Sequence, residues 1–278
     1  MSASVNFCDR HNKLAASFRT SRSTVRTATL ALSALLPLAA FAELSNESLL
    51  GPGLRSRPAY DGSDSQRTEI VPVVRYFGEH AFARSTQGVL EGGARVELAP
   101  GLHAGAQLAY EPGRAPSDSG FLESHNVSGI NRGASAGLHV EWDHLFGPVP
   151  VTLLTRVRQH IDSDRGAQLD LRFSVGVYRG GPVGAGLFTQ ATWGNAKSVG
   201  SFYAITPQQS ALTGLPAFAA AGGLLFTSFG LLWSVDLSPE WIVVGSAEAR
   251  RLRGDAARSP LMERASNFYI SAGIARRF

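Results

Sequence analysis

Leu169-Asp170-Leu171-Arg172-Phe173-Ser174-Val175-Gly176-Val177-Tyr178 is the stretch whose reading decides the fold. Leu169, Leu171, Phe173, Val175 and Val177 alternate with Asp170, Arg172, Ser174 and Gly176. A helix would scatter those charges around its axis, whereas a strand separates them onto one face. Working outward, the same period returns. Leu138, Val140 and Trp142 oppose His139, Glu141 and Asp143, and Leu90, Ala94, Val96 and Leu98 oppose Glu91, Arg95 and Glu97. Leu153 and Val157 oppose Arg156, Arg158 and His160, and Phe268, Ile270, Ala272 and Ile274 oppose Tyr269, Ser271 and Gly273. Many of these segments run about 9–11 residues, the length a tilted strand needs to cross a bilayer.

The connectors between them alternate in length. Short ones fall at 77–80, 99–101, 146–148, 180–182 and 238–240, and long polar ones at 59–67, 111–132, 161–167, 195–221 and 253–266. Short turns on one side and long loops on the other mark an antiparallel transmembrane barrel. The expected strands are 49–57, 67–77, 81–87, 89–98, 102–110, 133–145, 149–160, 168–179, 183–194, 222–237, 240–251 and 267–278. The fold class is therefore all-β, an antiparallel barrel of about twelve strands. Only Gln87-Gly88 divides the third strand from the fourth. An even count puts both ends of the barrel chain on the short-turn side.

Two other folds compete. Residues 217–235 (AFAAAGGLLFTSFGLLWSV) carry no charge and are long enough for a membrane helix. Three glycines, the preceding Pro216 and the period-2 ending at Leu231, Trp233 and Val235 argue for a strand instead. A soluble β-sandwich also alternates. Aromatic placement favours the membrane: Trp142 precedes the 146–148 turn, Trp241 follows the 238–240 turn, and Trp193 lies near a long loop. With Trp233 and the terminal Phe278, these are the expected interface aromatics, whose rings are apolar while the indole N–H seeks the headgroup layer.

The first 42 residues read as a cleaved secretory signal. Arg19, Arg22 and Arg26 precede the apolar run 27–42 (TATLALSALLPLAAFA), which closes on Ala40-Phe41-Ala42. The barrel domain is then 43–278. Residues 1–42 hold five basic side chains and one acidic one, so 43–278 keeps 21 of each out of 26 and 22. The net charge of that part is zero, which gives no basic footprint for nucleic acid. The only cysteine, Cys8, lies in the leader, so the rest carries no disulfide and no thiolate metal site.

Several further pieces run in a fixed order through the chain: 57–64 (RPAYDGSD), 71–76 (VPVVRY), 110–114 (YEPGR), 202–206 (FYAIT), 211–215 (ALTGL), 237–241 (LSPEW), 251–260 (RLRGDAARSP) and 275–278 (ARRF). Together, over about residues 49–278, the sequence resembles the MltA-interacting protein (MipA/OmpV) family. Tyr203-Ala204 stands where the family tends to have Phe-Gly, and Arg258 where an acidic residue is usual. The resemblance implies a bacterial outer-membrane protein in contact with outer-membrane lipid. It also implies a scaffold that contacts a murein transglycosylase and a murein synthase; other members are linked to adhesion, osmotic response or antibiotic susceptibility.

Chemistry-bearing residues are sparse. His139 and Glu141 share a face and could form a catalytic dyad for a barrel hydrolase, but His at i and Glu at i+2 on a strand is what any polar lumen supplies. No spacing suggests a metal or a cofactor, so neither is expected. The expected lumen charges are Glu91, Arg95, Glu97, Glu141, Asp143 and Arg156, continued by Arg158, Asp170, Arg172, Glu248 and Arg250. They mix both signs. Paired across a narrow interior they would fill it, whereas a ring of one sign would select ions. The expected function is thus a non-enzymatic scaffold; a small-solute channel is the alternative, and a barrel hydrolase comes third.

Overall fold

The computed structural model describes residues 47–278; the expected signal segment 1–42 lies outside the described residues. The alternation does what it predicts. Twelve antiparallel strands close into one barrel, each hydrogen-bonded to its sequence neighbours and the last to the first. They are β1 (Leu49–Pro58), β2 (Gln66–Phe77), β3 (Ala81–Thr86), β4 (Val89–Ala99), β5 (Leu102–Glu111) and β6 (Gly133–Phe146), then β7 (Val149–His160), β8 (Ala167–Gly180), β9 (Val183–Gly194), β10 (Gly223–Asp236), β11 (Trp241–Leu252) and β12 (Ser266–Arg277). Closure removes the free strand edges that hydrocarbon does not tolerate.

From Gly223 onward the uncharged run 217–235 resolves as a strand. That part lies in β10, paired with β9 and β11. Among the described residues no helix is long and apolar enough to cross a membrane. The Gln87-Gly88 division is a real hairpin tip. Both residues have positive φ, 52° and 79°, the pair of values a two-residue hairpin of matching twist requires.

The outer face is apolar and uncovered. Leu50, Ile70, Leu108, Leu138, Phe173 and Ile270 all stand exposed around the wall. Large apolar side chains in that number have no place in water but fit a lipid belt. At the short-turn mouth Trp142 stacks on His144 (5.1 Å between centroids) and meets Phe146 edge-on. Trp241 is exposed as the first residue of β11, and Phe278 is exposed where its N–H donates to the Ser48 carbonyl (3.2 Å). Trp193 lies one residue from the loop end of β9, whereas Trp233 lies further into β10, opposite Gly245. A Cβ on Gly245 would meet the Trp233 ring at 2.3 Å.

The two mouths differ. The turn mouth has only short connections. At the other mouth the loops fold on one another, carrying α1 (Gly120–Ser124), α2 (Ala196–Tyr203) and α3 (Pro207–Thr213). Each helix starts on a capping side chain: Ser119, Asn195 and Thr206 accept from the third backbone N–H beyond them. Ala59, Tyr60, Leu122, Val127, Ile205 and Leu261, from four different loops, form one buried cluster. A second joins Val199 and Tyr203 of α2 to Phe226, Leu252 and Ala256. The result is a packed dome over one end of the lumen.

Candidate functional site

The lumen is where the charged faces of the strands converge. Glu91 is buried at its centre and accepts from Arg84 Nε (2.5 Å), Arg156 Nη1 (2.5 Å) and Gln107 Nε2 (2.8 Å). Arg84 also reaches Glu141 (2.6 Å), and Arg156 reaches Asp170 (2.8 Å). Arg158 then links Asp170 (3.1 Å) to Glu111 (2.7 Å), and His160 Nε2 lies 3.2 Å from Glu111. Signs alternate along the whole chain, so each buried charge is compensated by its neighbours. Several links are chords. Arg84 on β3 meets Glu141 on β6, and Arg156 on β7 meets Glu91 on β4. Such pairs cross the interior instead of lining it.

A second group hangs the dome from the wall. Arg250 pairs with Glu248 (3.1 Å) and with Asp61 of the β1–β2 loop (2.8 Å). The Tyr269 hydroxyl also donates to the Asp61 carboxylate. Burial works to raise the Asp61 carboxyl, but Arg250 and then Tyr269 outweigh it and hold it below the usual carboxylate range. Burial, then the nearby Glu263, pushes the Tyr60 hydroxyl up; that hydroxyl donates to Glu263 Oε2 (3.0 Å) and the Leu261 carbonyl (2.9 Å). Tyr203, one of the departures from the family pattern, lies at the dome's centre and donates to the Asp61 carbonyl (3.3 Å). Arg258, the other departure, pairs with Asp255 within its own turn. Below this group a cavity of about 180 Å³ remains, lined by Arg55, Arg57, Asp61, Arg158, Arg250 and Tyr269 among others. A smaller one, of about 120 Å³, lies nearer the turn mouth beside Arg55 and Glu248.

Ten of the eleven expected lumen charges are buried or half-buried. Arg172 sits over the Phe188 ring (3.9 Å) and Arg95 over Phe77 (5.1 Å). Asp143 is half-buried and accepts from Thr152 (2.6 Å). Glu97 is the exception: it is exposed and accepts from the Gly101 N–H (3.1 Å), so it serves the 99–101 turn and not the network. Position near a strand end overrides face there. The His139–Glu141 pair is not assembled. Glu141 is taken up by Arg84, while the buried His139 Nδ1 has no hydrogen-bond partner among the described residues and its ring meets Phe82 edge-on (4.9 Å).

Sequence reading missed Arg84, Glu111, Asp61 and Tyr269. Arg84 was legible in principle, since β3 places it beside Phe82 on the inward face and opposite Glu91. Asp61 was not, because nothing local tells a loop residue that it will reach Arg250.

A closed antiparallel barrel with an apolar outer belt and an ionic interior is a membrane barrel of the outer-membrane type. The family model for MltA-interacting protein MipA matches residues 50–278, and the chain belongs to that family. No curated protein matches the chain. Among solved structures it is similar to an outer membrane channel from Pseudomonas putida F1, at 12% identity and TM-score 0.47, covering 88% of this chain and 100% of that one. It is also similar to the NanC porin (10%, TM-score 0.45, 83% and 100%) and to LpxR from Salmonella typhimurium (11%, TM-score 0.42, 83% and 100%).

Proposed function

We propose that this chain is a non-enzymatic scaffold of the bacterial outer membrane, exported with removal of residues 1–42, that holds peptidoglycan-remodelling enzymes at its periplasmic face. The observation that carries the reading is the obstructed interior. The ion-paired chords Arg156–Glu91 and Arg84–Glu141 cross the lumen beneath a packed dome, so what the barrel offers a partner is its surface. The family's own description, an MltA-interacting protein, supports a murein transglycosylase as that partner; the second partner we propose is a murein synthase.

The turn 238–240 is the docking element we assign. It is rigid: Ser238 Oγ accepts from the Glu240 and Trp241 N–H groups (3.2 and 3.1 Å), and Arg277 donates to the Ser238 carbonyl (3.1 Å) from its side chain and to the Glu240 carbonyl (2.7 Å) from its backbone. The detergent-solubilised barrel should capture a murein transglycosylase from periplasmic extract, and Pro239→Gly with Glu240→Lys should abolish capture. No capture by the native chain would sink the scaffold reading.

A small-solute channel is the second reading, favoured by the two cavities left within the lumen. Planar-bilayer recording separates the two. The scaffold reading expects no stable opening, while a steady pore of about a nanosiemens, the contrast set by wide porins, would favour the channel.

A further inference from the structure

The upper lumen holds more cation than it matches. Six arginines line the cavity of about 180 Å³ beneath the dome, against three carboxylates, Asp61, Glu111 and Asp170. Four of the six have a carboxylate oxygen at 2.8 Å or closer: Arg57 has Glu69, Arg156 has Glu91, Arg158 has Glu111 and Arg250 has Asp61. Arg114 has no carboxylate at ion-pair distance among the described residues. Its Nη1 donates instead to the Phe202 carbonyl (2.9 Å), and its guanidinium lies over the Tyr60 ring (5.7 Å).

Arg55 is the sixth. It is 7% exposed, and its guanidinium donates no hydrogen bond among the described residues. It lies over the Tyr269 ring at 5.2 Å, and the one carboxylate it approaches, Glu69, is 3.8 Å away. Glu69 is already shared by Arg57 (2.8 Å) and Arg67 (2.9 Å). Glu248, which lines the lower cavity with Arg55, is held by Arg250 (3.1 Å) and Gln87 (2.9 Å). Arg57, two residues along β1 and on the same face, keeps a buried Nη2 without a partner among the described residues. A guanidinium buried without a hydrogen-bonded anion is costly. A carboxylate entering here would accept from Arg55 in the two-pronged geometry that guanidinium favours.

The rest of the space is apolar. Val89, Phe202, Tyr203, Leu225 and Phe226 line the same cavity. A cavity of roughly 150 Å³ takes a benzene ring, so this one has room for a single ring with a small substituent. Arg55, Gln87 and Tyr269 line both luminal cavities, so the cation stands where the two adjoin. The side wall is thin. β2 pairs with β3 only from Arg75 to Phe77, and beyond that point a cleft of about 720 Å³ lies between β2 and the β5–β6 loop. Pro112 and Gly113 line both this cleft and the luminal cavity, so one layer of chain separates them.

We propose that the upper lumen binds a small aromatic monocarboxylate, its carboxylate on Arg55 beside Arg57 and its ring among Phe202, Leu225 and Phe226. One negative charge matches the one guanidinium without a hydrogen bond. The site is independent of docking at 238–240. The test titrates the folded barrel, in non-ionic detergent, with benzoate and with benzamide, its uncharged analogue of the same shape, and reads binding by saturation-transfer NMR. Benzoate should bind saturably with a Kd of about a millimolar or below, and benzamide about tenfold more weakly, the scale of a lost charge-assisted contact. Arg55→Gln should cut benzoate binding about tenfold and remove the preference. Val89→Trp keeps every arginine, fills the cavity and should lower binding of both probes; it decides the matter if the arginine variant does not fold. No saturable benzoate signal above that of barrel-free micelles would overturn the proposal. So would equal binding of benzamide by the native chain, undiminished binding in a folded variant, or displacement of benzoate by equimolar inorganic phosphate. Heat-modifiable gel mobility of each sample reports separately whether the barrel has formed.

Discussion

The two mouths of this barrel are built from the same twelve strands and are obstructed by different physics. Near the turn mouth, Leu49, Ile242 and Ala275 point inward and pack with Val73 and Val244, and the ion pairs there, Asp236 with Arg179 and Arg277, are made by strand ends without a loop. Apolar packing is non-directional, so neighbouring strands of right register suffice and the connections can stay short. Toward the loop mouth the inward residues are Arg158, Asp170, Glu111, Arg250 and Glu248. A buried ionic interior tolerates no unmatched member, and here the loops add to the pairs that the strands make. Arg250 has Glu248 on its own strand and takes a second carboxylate from Asp61, which only a loop can bring. The long connections are therefore part of the electrostatics of the lumen as well as its cover.

The sharpest way to break this comparison is Glu91→Gln. Arg84 and Arg156 would lose their shared carboxylate while staying buried, and about 3–5 kcal/mol of stability should go. Urea unfolding from lipid vesicles measures it. A loss under about 1 kcal/mol would mean the charges are hydrated like an exposed pair and that the two mouths do not differ in kind.

Asp61→Asn comes next. It weakens the pair that ties the β1–β2 loop to Arg250 and Tyr269, and should cost about 1–3 kcal/mol. The damage should appear as faster proteolytic cutting in the loops, with the turn mouth unaffected. The same anchor gives a pH dependence. Because the Asp61 carboxyl is held below its usual range, its contribution is intact above the unfolded value of about 3.9 and is lost as pH falls through the folded one. Hydrogen exchange of residues 59–64, corrected for intrinsic rate, should therefore quicken on acidification from about pH 6 to about pH 3. Asp61→Asn should remove most of that change.

Gly88→Ala should cost about 1–2 kcal/mol, because φ is +79° and the new methyl group meets Arg55. Thermal unfolding would show it, and a neutral result would mean the hairpin tip does not press on Arg55. The smallest effect belongs to the turn mouth. Glu97→Gln should change stability by less than about 0.5 kcal/mol, since Glu97 is exposed and outside the network. A larger loss would place it in the lumen after all.

Much of this architecture is legible in the sequence. Strand boundaries expected at 149–160 and 183–194 agree with β7 and β9 to the residue. Most others agree within one, because period-2 alternation and turn residues are local signals. The inward faces were legible for the same reason: Asp170, Arg172 and Glu91 had to lie opposite their apolar neighbours. Glu97 shows the limit of that rule, since face parity says nothing about depth near a strand end.

What the sequence by itself determined is thus the barrel, its strand order, its apolar outside and the sign mixture inside. These follow from chain-local periodicity and from the need of a closed sheet to satisfy its own backbone. Only the tertiary structure decided which charges meet. Arg84 with Glu141, Arg156 with Glu91 and Asp61 with Arg250 are chords and loop contacts between residues far apart in the chain. It also decided that β2 leaves β3 at Val74, turning a short hairpin into a cleft. Both depend on the curvature of the closed wall and on how the loops share the space above it, which no local pattern encodes.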